Sequence, residues 1–147
     1  MKIQLKTGVE GLDLLSSLVF AESLFCQGKY EESLSYYEKG YEIAIQRNMT
    51  LWMIGPIIGI AINRKKLGIK INYNDVILEK DKYYREGNWF EYYYDYMQYL
   101  LFEKEKYLHL AYDRLSDISN KLNVKDRQKL LNCTWPKIII AEWEKLY

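Results

Sequence analysis

A single histidine, His109, and only two cysteines and two prolines are found among the 147 residues. The histidine sits within YLHLAY and has no His or Cys at metal-ligand spacing, so the sequence contains no zinc motif. Cys26 and Cys133 lie far apart without a partner motif, which excludes a disulfide framework and leaves two thiols expected in or near the core. Proline occurs only at Pro56 and Pro136, and the glycines are scattered singly, so no linker or low-complexity segment divides the chain. One domain over residues 1–147 is expected, burying roughly two-thirds of its unfolded surface.

An excess of either charge is also missing. Twenty-one Lys and Arg against twenty Asp and Glu leave a net charge of +1, too little for a global field that would hold a nucleic acid or an anionic membrane. The nearest local basic patch, Arg64-Lys65-Lys66 with Lys70, falls where a helix is expected to end and where bases complement its partial negative charge. The most apolar stretch, LWMIGPIIGIAI at 51–62, is well short of the about twenty residues that cross a bilayer. MKIQLKTG carries Lys2 and Lys6 with no apolar run before Leu12, which makes a poor secretory signal. A cytoplasmic protein without a membrane partner is expected. No Gly-rich phosphate loop, serine elbow or Cys-His pattern occurs, and the acidic pairs Glu31-Glu32 and Glu103-Glu105 read as solvated helix faces. The expectation is therefore no enzyme, no cofactor and no metal.

What the sequence does contain is helical periodicity. Thr7 and Glu10 have capping-box spacing, and Leu12, Leu15, Val19 and Leu24 recur at helical intervals, predicting a first helix over about 8–27. Gly28-Lys29 suits a tight reversal, followed by a helix over 30–47 with Tyr30, Leu34, Tyr37, Tyr41 and Ala44 in one stripe. Thr50 is placed to cap a central helix over 51–66 that buries Ile54, Ile57, Ile58 and Ala61, with Pro56 marking a kink or an early break. Residues 68–74 read as an ordered loop and 75–86 as a short helix. Asn88 with Glu91 repeats the capping spacing, the chain is expected to break at 102–106, and helices follow over 107–122 and 124–132, the latter capped by Asn123 and Asp126. Thr134 with Pro136 begins the last helix. The fold class is all-α.

Two segments resemble each other: GKYEESLSYYEKG at 28–40 and GNWFEYYYDYMQY at 87–99 align Tyr37 with Tyr96 and Glu32 with Glu91, which suggests an internal repeat. Within 14–47, Phe20, Ala21, Leu24, Gly28, Tyr30, Ser33, Leu34, Tyr37 and Gly40 resemble a tetratricopeptide repeat (TPR). The resemblance implies antiparallel helix hairpins stacked as a short right-handed α-solenoid whose inner face captures a peptide, a helix or another protein surface. It further implies close helix approach at Ala21, Ser33 and Gly40, with the large residues filling between helices. Similar bundles form regulatory parts of bacterial transcription regulators. Beyond residue 47 the chain departs from the family pattern. Lys80, Tyr92 and Tyr99 stand where small residues belong, and a period of about 34 residues is absent.

On a helix, Trp89, Tyr93, Tyr96 and Leu100 form one row and Phe90, Tyr94, Met97 and Leu101 a second, with Tyr92 and Tyr99 between or opposite. Such a helix either touches neighbours on two sides or offers rings to a partner. The recognition surface expected on the second reading comprises Tyr36, Tyr92, Tyr93, Tyr96 and Tyr99; Tyr37 is expected in the core, and Trp52, Trp135 and Trp143 as helix-packing anchors. The function expected is a non-catalytic protein- or peptide-binding module, able to take a basic peptide if Glu31, Glu38 or Asp95 faces its groove. One alternative is an oligomerisation protein in which the same tyrosines cement a homodimer. The other is a nucleic-acid-associated protein using Arg64, Lys65, Lys66, Lys70, Lys125, Arg127 and Lys129, a reading that the charge balance disfavours.

Overall fold

The computed structural model describes residues 2–83 and 92–147, with side chains from residue 12 onward in the first helix. Among these residues there are eight α-helices and no strand: α1 (Lys2–Cys26), α2 (Tyr30–Gln46), α3 (Ile54–Lys66), α4 (Tyr73–Tyr83), α5 (Tyr92–Phe102), α6 (Glu105–Asn120), α7 (Val124–Leu131) and α8 (Thr134–Leu146). Their contacts divide the chain into two compact units, Met1–Asn88 and Trp89–Tyr147. The expected caps at Thr7–Glu10 and Asn88–Glu91, and the rings of Trp89 and Phe90, lie outside the described residues and side chains. The α1 backbone is already helical from Lys2, several residues before the expected start.

In the first unit, three helices stop by one device. Gly28, Asn48 and Gly68 adopt positive φ (75°, 52° and 72°) at equal intervals along the chain. The next amide in each case donates back across the turn: Lys29 to Leu24 O, Met49 to Ala44 O and Ile69 to Arg64 O, each at 2.9 Å. These bonds satisfy carbonyls that a helix end leaves orphaned, and glycine enters the required left-handed conformation without a Cβ penalty. The rings of Phe25 and Tyr30, edge to face at 5.5 Å, clasp the first turn from its two sides.

The buried row of α1 is Leu14, Ser17, Leu18, Ala21 and Phe25, at helical spacing. It is not the expected row, since Leu12, Leu15 and Val19 are exposed and Leu24 is only half-buried. Phe20, expected to fill between helices, is also exposed. Both rows are apolar, and contact with α2 selects one of them. The second helix packs against α1 and α3, and α4 lies against α3. Nine residues of α3 are buried, including Ile54, Ile57, Ile58 and Ala61, as its all-round apolarity predicts.

Of the two outcomes expected at Pro56, a kink or an early break, the second is closer, since the helix expected over 51–66 is divided ahead of the proline. Helix α3 begins at Ile54 after a 3-10 turn over Thr50–Trp52, so Pro56 occupies the first turn, where its missing N–H has no intrahelical acceptor to lose. Thr50 therefore opens the 3-10 turn and does not cap the helix. Trp52, expected as an anchor, is 42% exposed.

Small residues set how closely these helices run. A Cβ at Gly40 would lie 3.1 Å from Leu18 Cδ2, and one at Gly59 would lie 2.5 Å from three atoms of the Tyr37 ring. Tyr37 itself is fully buried. A polar thread passes beside it: Asn63 Nδ2 donates to Gly59 O (2.8 Å) and to Ser33 Oγ (3.0 Å), and Ser33 Oγ donates to Ala21 O (2.7 Å). Ala21, Ser33 and Gly40 thus mark close approaches, as expected.

In the second unit α6 packs against α5, α7 and α8. Leu108, Ala111 and Leu115 of α6, Tyr96 of α5 and Ile139 of α8 make its core. Helix α5 ends at Glu103, a non-glycine residue with φ of 54°, and α6 starts two residues earlier than expected. The expected α7 cap is present: Asn123 Oδ1 accepts from the Asp126 amide at 2.9 Å, and Asn123 Nδ2 donates to Asp126 Oδ2 at 2.8 Å. Cys26 is half-buried, and burial, helped by the Glu22 charge, pushes its thiol up to about 11. Cys133, expected in or near the core, is exposed at the start of α8 because its position precedes the first helical turn.

Two outcomes test this description. Gly59→Ala should cost about 1–3 kcal/mol in urea unfolding, the usual penalty of overpacking, because a rigid ring occupies the new methyl's place. Gly40→Ala should be near neutral, since a Leu tip can yield and alanine favours helix by up to about 1 kcal/mol; equal effects would show that Tyr37 moves freely. A disulfide reagent near neutral pH should modify Cys133 in a fast phase and Cys26 in a slow one, the slow phase disappearing in Cys26→Ser.

Candidate functional site

The structure brings Tyr92, Tyr93, Tyr96 and Tyr99 together, and it does so around the core of the second unit. Tyr96 is 7% exposed, and Tyr92 and Tyr99 pack against the same core. Tyr93 stacks on Trp135 at 5.7 Å, and Tyr96 meets the same indole edge-on at 6.3 Å. Trp135 and Trp143 are half-buried against this core, as expected of packing anchors. Burial first, then the Glu142 charge and Tyr99, push the Tyr96 hydroxyl up to about 12. The Tyr99 hydroxyl donates to Glu142 Oε1 at 3.3 Å and is raised by burial and by that carboxylate. Five successive residues of α5, Tyr94 through Gln98, are buried, so its middle turn presents no open aromatic face.

Asp95, one of the acids considered for a basic peptide, is 2% exposed and forms an ion pair with Arg114. His109 shares a 2.8 Å hydrogen bond with the Tyr147 hydroxyl and meets Trp143 edge-on at 4.7 Å. Arg127, one of the seven bases of the nucleic-acid reading, donates to Ser119 O (2.9 Å) and Leu122 O (3.3 Å) and so closes the end of α6.

Tyr36 belongs to the first unit. Its ring lies 5.6 Å from that of Phe20, and with Leu12, Leu15 and Val19 these two make an exposed apolar strip on α1 and α2. Leu12 is 62% exposed.

Elsewhere in that unit lies a cleft of about 420 Å³ walled by α2, α3 and α4. Each wall follows from helical spacing. Glu38, Tyr41 and Glu42 come from α2, Ile57, Ile60, Ala61 and Arg64 from α3, and Asp75, Val76 and Glu79 from α4; Lys70, Ile71 and Asn72 close one end. The α4 helix was expected over 75–86, which includes all three of its wall residues, but its part in a cleft was not, because 68–74 alternates apolar residues without an amphipathic run. The helix in fact begins at Tyr73, where the Asn72 side chain accepts from the Asp75 amide at 3.3 Å. Val76 three residues before Glu79, with Asp75 beside it, is the signal that could have revealed an inward face.

Ile57, Ile60, Ala61, Ile71 and Val76 give the cleft an aliphatic floor, and its rim is charged. The Tyr41 hydroxyl donates to Glu79 Oε1 at 2.5 Å, bridging α2 and α4, and this bond, then burial, pushes it up to about 12. Arg64 pairs with Glu38 at 3.7 Å. Glu42, Asp75 and Lys70 have no ion-pair partner among the described residues. Such a cleft can bind by shape and charge.

No protein-family model matches the chain, and neither a curated protein nor a solved structure matches it. No helix among the described residues is long and apolar enough to cross a membrane.

The raised hydroxyls set a pH dependence. The folded chain keeps phenolic protons at Tyr41 and Tyr96 that the unfolded chain loses near pH 10, so their stabilisation is complete below about pH 10 and is lost as pH rises toward 12. Denaturation midpoints should fall between about pH 10 and 12, with a shallower fall in Tyr41→Phe. In Glu79→Gln, phenolate absorbance should show one tyrosine titrating closer to about 10.

Proposed function

We propose that this chain is a non-catalytic protein- or peptide-binding module of TPR-like stacked helix hairpins, and that its binding surface is the cleft between α2, α3 and α4. The observation that carries the reading is the combination in one cleft of an aliphatic floor and a charged rim. Burying a partner's apolar side chains on Ile57, Ile60, Ile71 and Val76 supplies contact energy, while the rim selects among partners and steers their approach. The equal spacing of the left-handed stops at 28, 48 and 68 supports a repeating helix-turn unit. On this reading the tyrosine at the recognition surface is Tyr41, a rim residue, which is not one of the five expected there (Tyr36, Tyr92, Tyr93, Tyr96 and Tyr99). Tyr92, Tyr93, Tyr96 and Tyr99 serve mainly to build the second unit's core.

A second reading, self-association, rests on the exposed strip of Leu12, Leu15, Val19, Phe20 and Tyr36, since contiguous apolar surface of this kind is unusual on a monomer. Sedimentation across concentrations decides it. A single monomeric species for both wild type and Leu15→Glu removes this reading.

Peptides selected from an unbiased library should shift the NMR methyl signals of Ile57, Ile60, Ile71 and Val76, and Ile71→Asp should weaken their binding at least about tenfold, or 1.4 kcal/mol. Shifts confined to residues 92–99, or equal binding by Ile71→Asp, would overturn the assignment of the site.

A further inference from the structure

We infer that the occupant of this cleft is a basic amphipathic peptide segment, with aliphatic side chains set on the floor and a Lys or Arg between Glu42 and Asp75. The inference rests on the peptide-binding reading of the cleft and adds the chemistry of the partner.

Charge complementarity carries it. Four carboxylates, of Glu38, Glu42, Asp75 and Glu79, line the cleft against two bases, Arg64 and Lys70. Arg64 is held by Glu38, and Glu79 already accepts the Tyr41 hydroxyl. Glu42 on α2 and Asp75 on α4 have no ion-pair partner among the described residues, and Lys70, the one base left without a partner, does not offset the excess of four carboxylates over two bases. The whole chain carries +1, so the sign of the cleft opposes that of the molecule and marks a local feature. Low-dielectric walls such as those of Ile57, Ile60 and Val76 focus the field of a charged rim.

Other occupants fit less well. An acidic or phosphorylated peptide would set its charge against three or four carboxylates. A wholly apolar helix would desolvate Glu42 and Asp75 without pairing them, a costly arrangement for charged groups. A free polyamine would satisfy the carboxylates and leave the aliphatic floor in contact with water. The cleft volume falls in the roughly 300–1,000 Å³ range of ligand sites, enough for a few side chains and not for a whole helix. The match is therefore to one face of a segment that carries both side-chain types.

The test uses three fluorescent synthetic peptides of one amphipathic Leu pattern, with Lys, Gln or Glu at the polar positions, and spermidine as a free polyamine. Anisotropy is read with the 147-residue chain at low salt and at about 0.5 M salt, where exposed charges are screened. The Lys peptide should bind at least tenfold tighter than the Glu peptide, with an advantage that shrinks in high salt. Glu42→Gln/Asp75→Asn, both exposed positions whose folding is checked by unfolding midpoint, should lower Lys-peptide affinity several-fold and leave Gln-peptide affinity unchanged. Equal binding of the three peptides, no effect of the double variant, or full displacement of the Lys peptide by spermidine at matched charge would overturn the inference. If all three peptides bind equally and all are weakened by Ile71→Asp, the cleft remains a peptide site and only its basic selectivity fails. If Ile71→Asp leaves every affinity unchanged, the cleft reading fails as well.

Discussion

The ring of Tyr37 occupies the space that any side chain at position 59 would need, and the arrangement of the first unit depends on that contact. Only a residue without Cβ lets α3 run so close to α2, and the close approach places Asn63 within reach of Ser33, and Ser33 within reach of Ala21 O. Each such bond contributes on the order of 1 kcal/mol net, but a buried polar thread also fixes register, because sliding any helix would leave a buried donor unpaired. With α2 and α3 held at that distance, Ile57, Ile60, Ala61 and Arg64 line the cleft opposite α4. The geometry of the cleft is thus a consequence of a glycine outside it.

Tyrosine is abundant in this chain for a reason visible in both units: the ring fills apolar space while the hydroxyl finds a carboxylate. Tyr41 reaches Glu79, Tyr99 reaches Glu142 and Tyr147 reaches Glu105. Phenylalanine would fill the same volumes and leave those acceptors to water. At Tyr41 the carboxylate first and burial second, and at Tyr99 and Tyr147 burial first and the carboxylate second, favour the protonated phenol, which is why these hydroxyls rise and do not fall. Aromatic excess in the sequence is therefore mainly structural, and the one tyrosine of this kind on a cleft rim, Tyr41, is the one most relevant to binding.

The near-neutral charge of the chain also needs local reading. Its bases are in part consumed in structure: Arg127 closes the end of α6, Arg114 pairs with buried Asp95, and Arg64 pairs with Glu38. Acids on α2 and α4 converge where few bases follow. A balanced total thus conceals a negative cleft, because the sum over residues carries no information about which side chains share a surface.

Helices, their number and most of their ends were legible in the sequence, because those features are set by neighbours a few residues away. Gly28 as a stop, the Asn123–Asp126 cap and the all-round burial of α3 follow from local backbone chemistry and composition. Choices among equivalent local options were not legible. Two apolar rows run along α1, and only contact with α2 selects Leu14, Leu18, Ala21 and Phe25 over Leu12, Leu15 and Val19. Glu103 ends α5 in a conformation that its side chain does not favour, Pro56 shifts α3's start and does not bend it, and Asp95 disappears beneath Arg114. The cleft itself takes residues from three helices and a connecting segment. The sequence by itself determined an all-helical chain with tyrosine-rich cores; the placement of acids and aliphatic side chains on one concave surface was decided only when distant segments packed, since that proximity has no local signature.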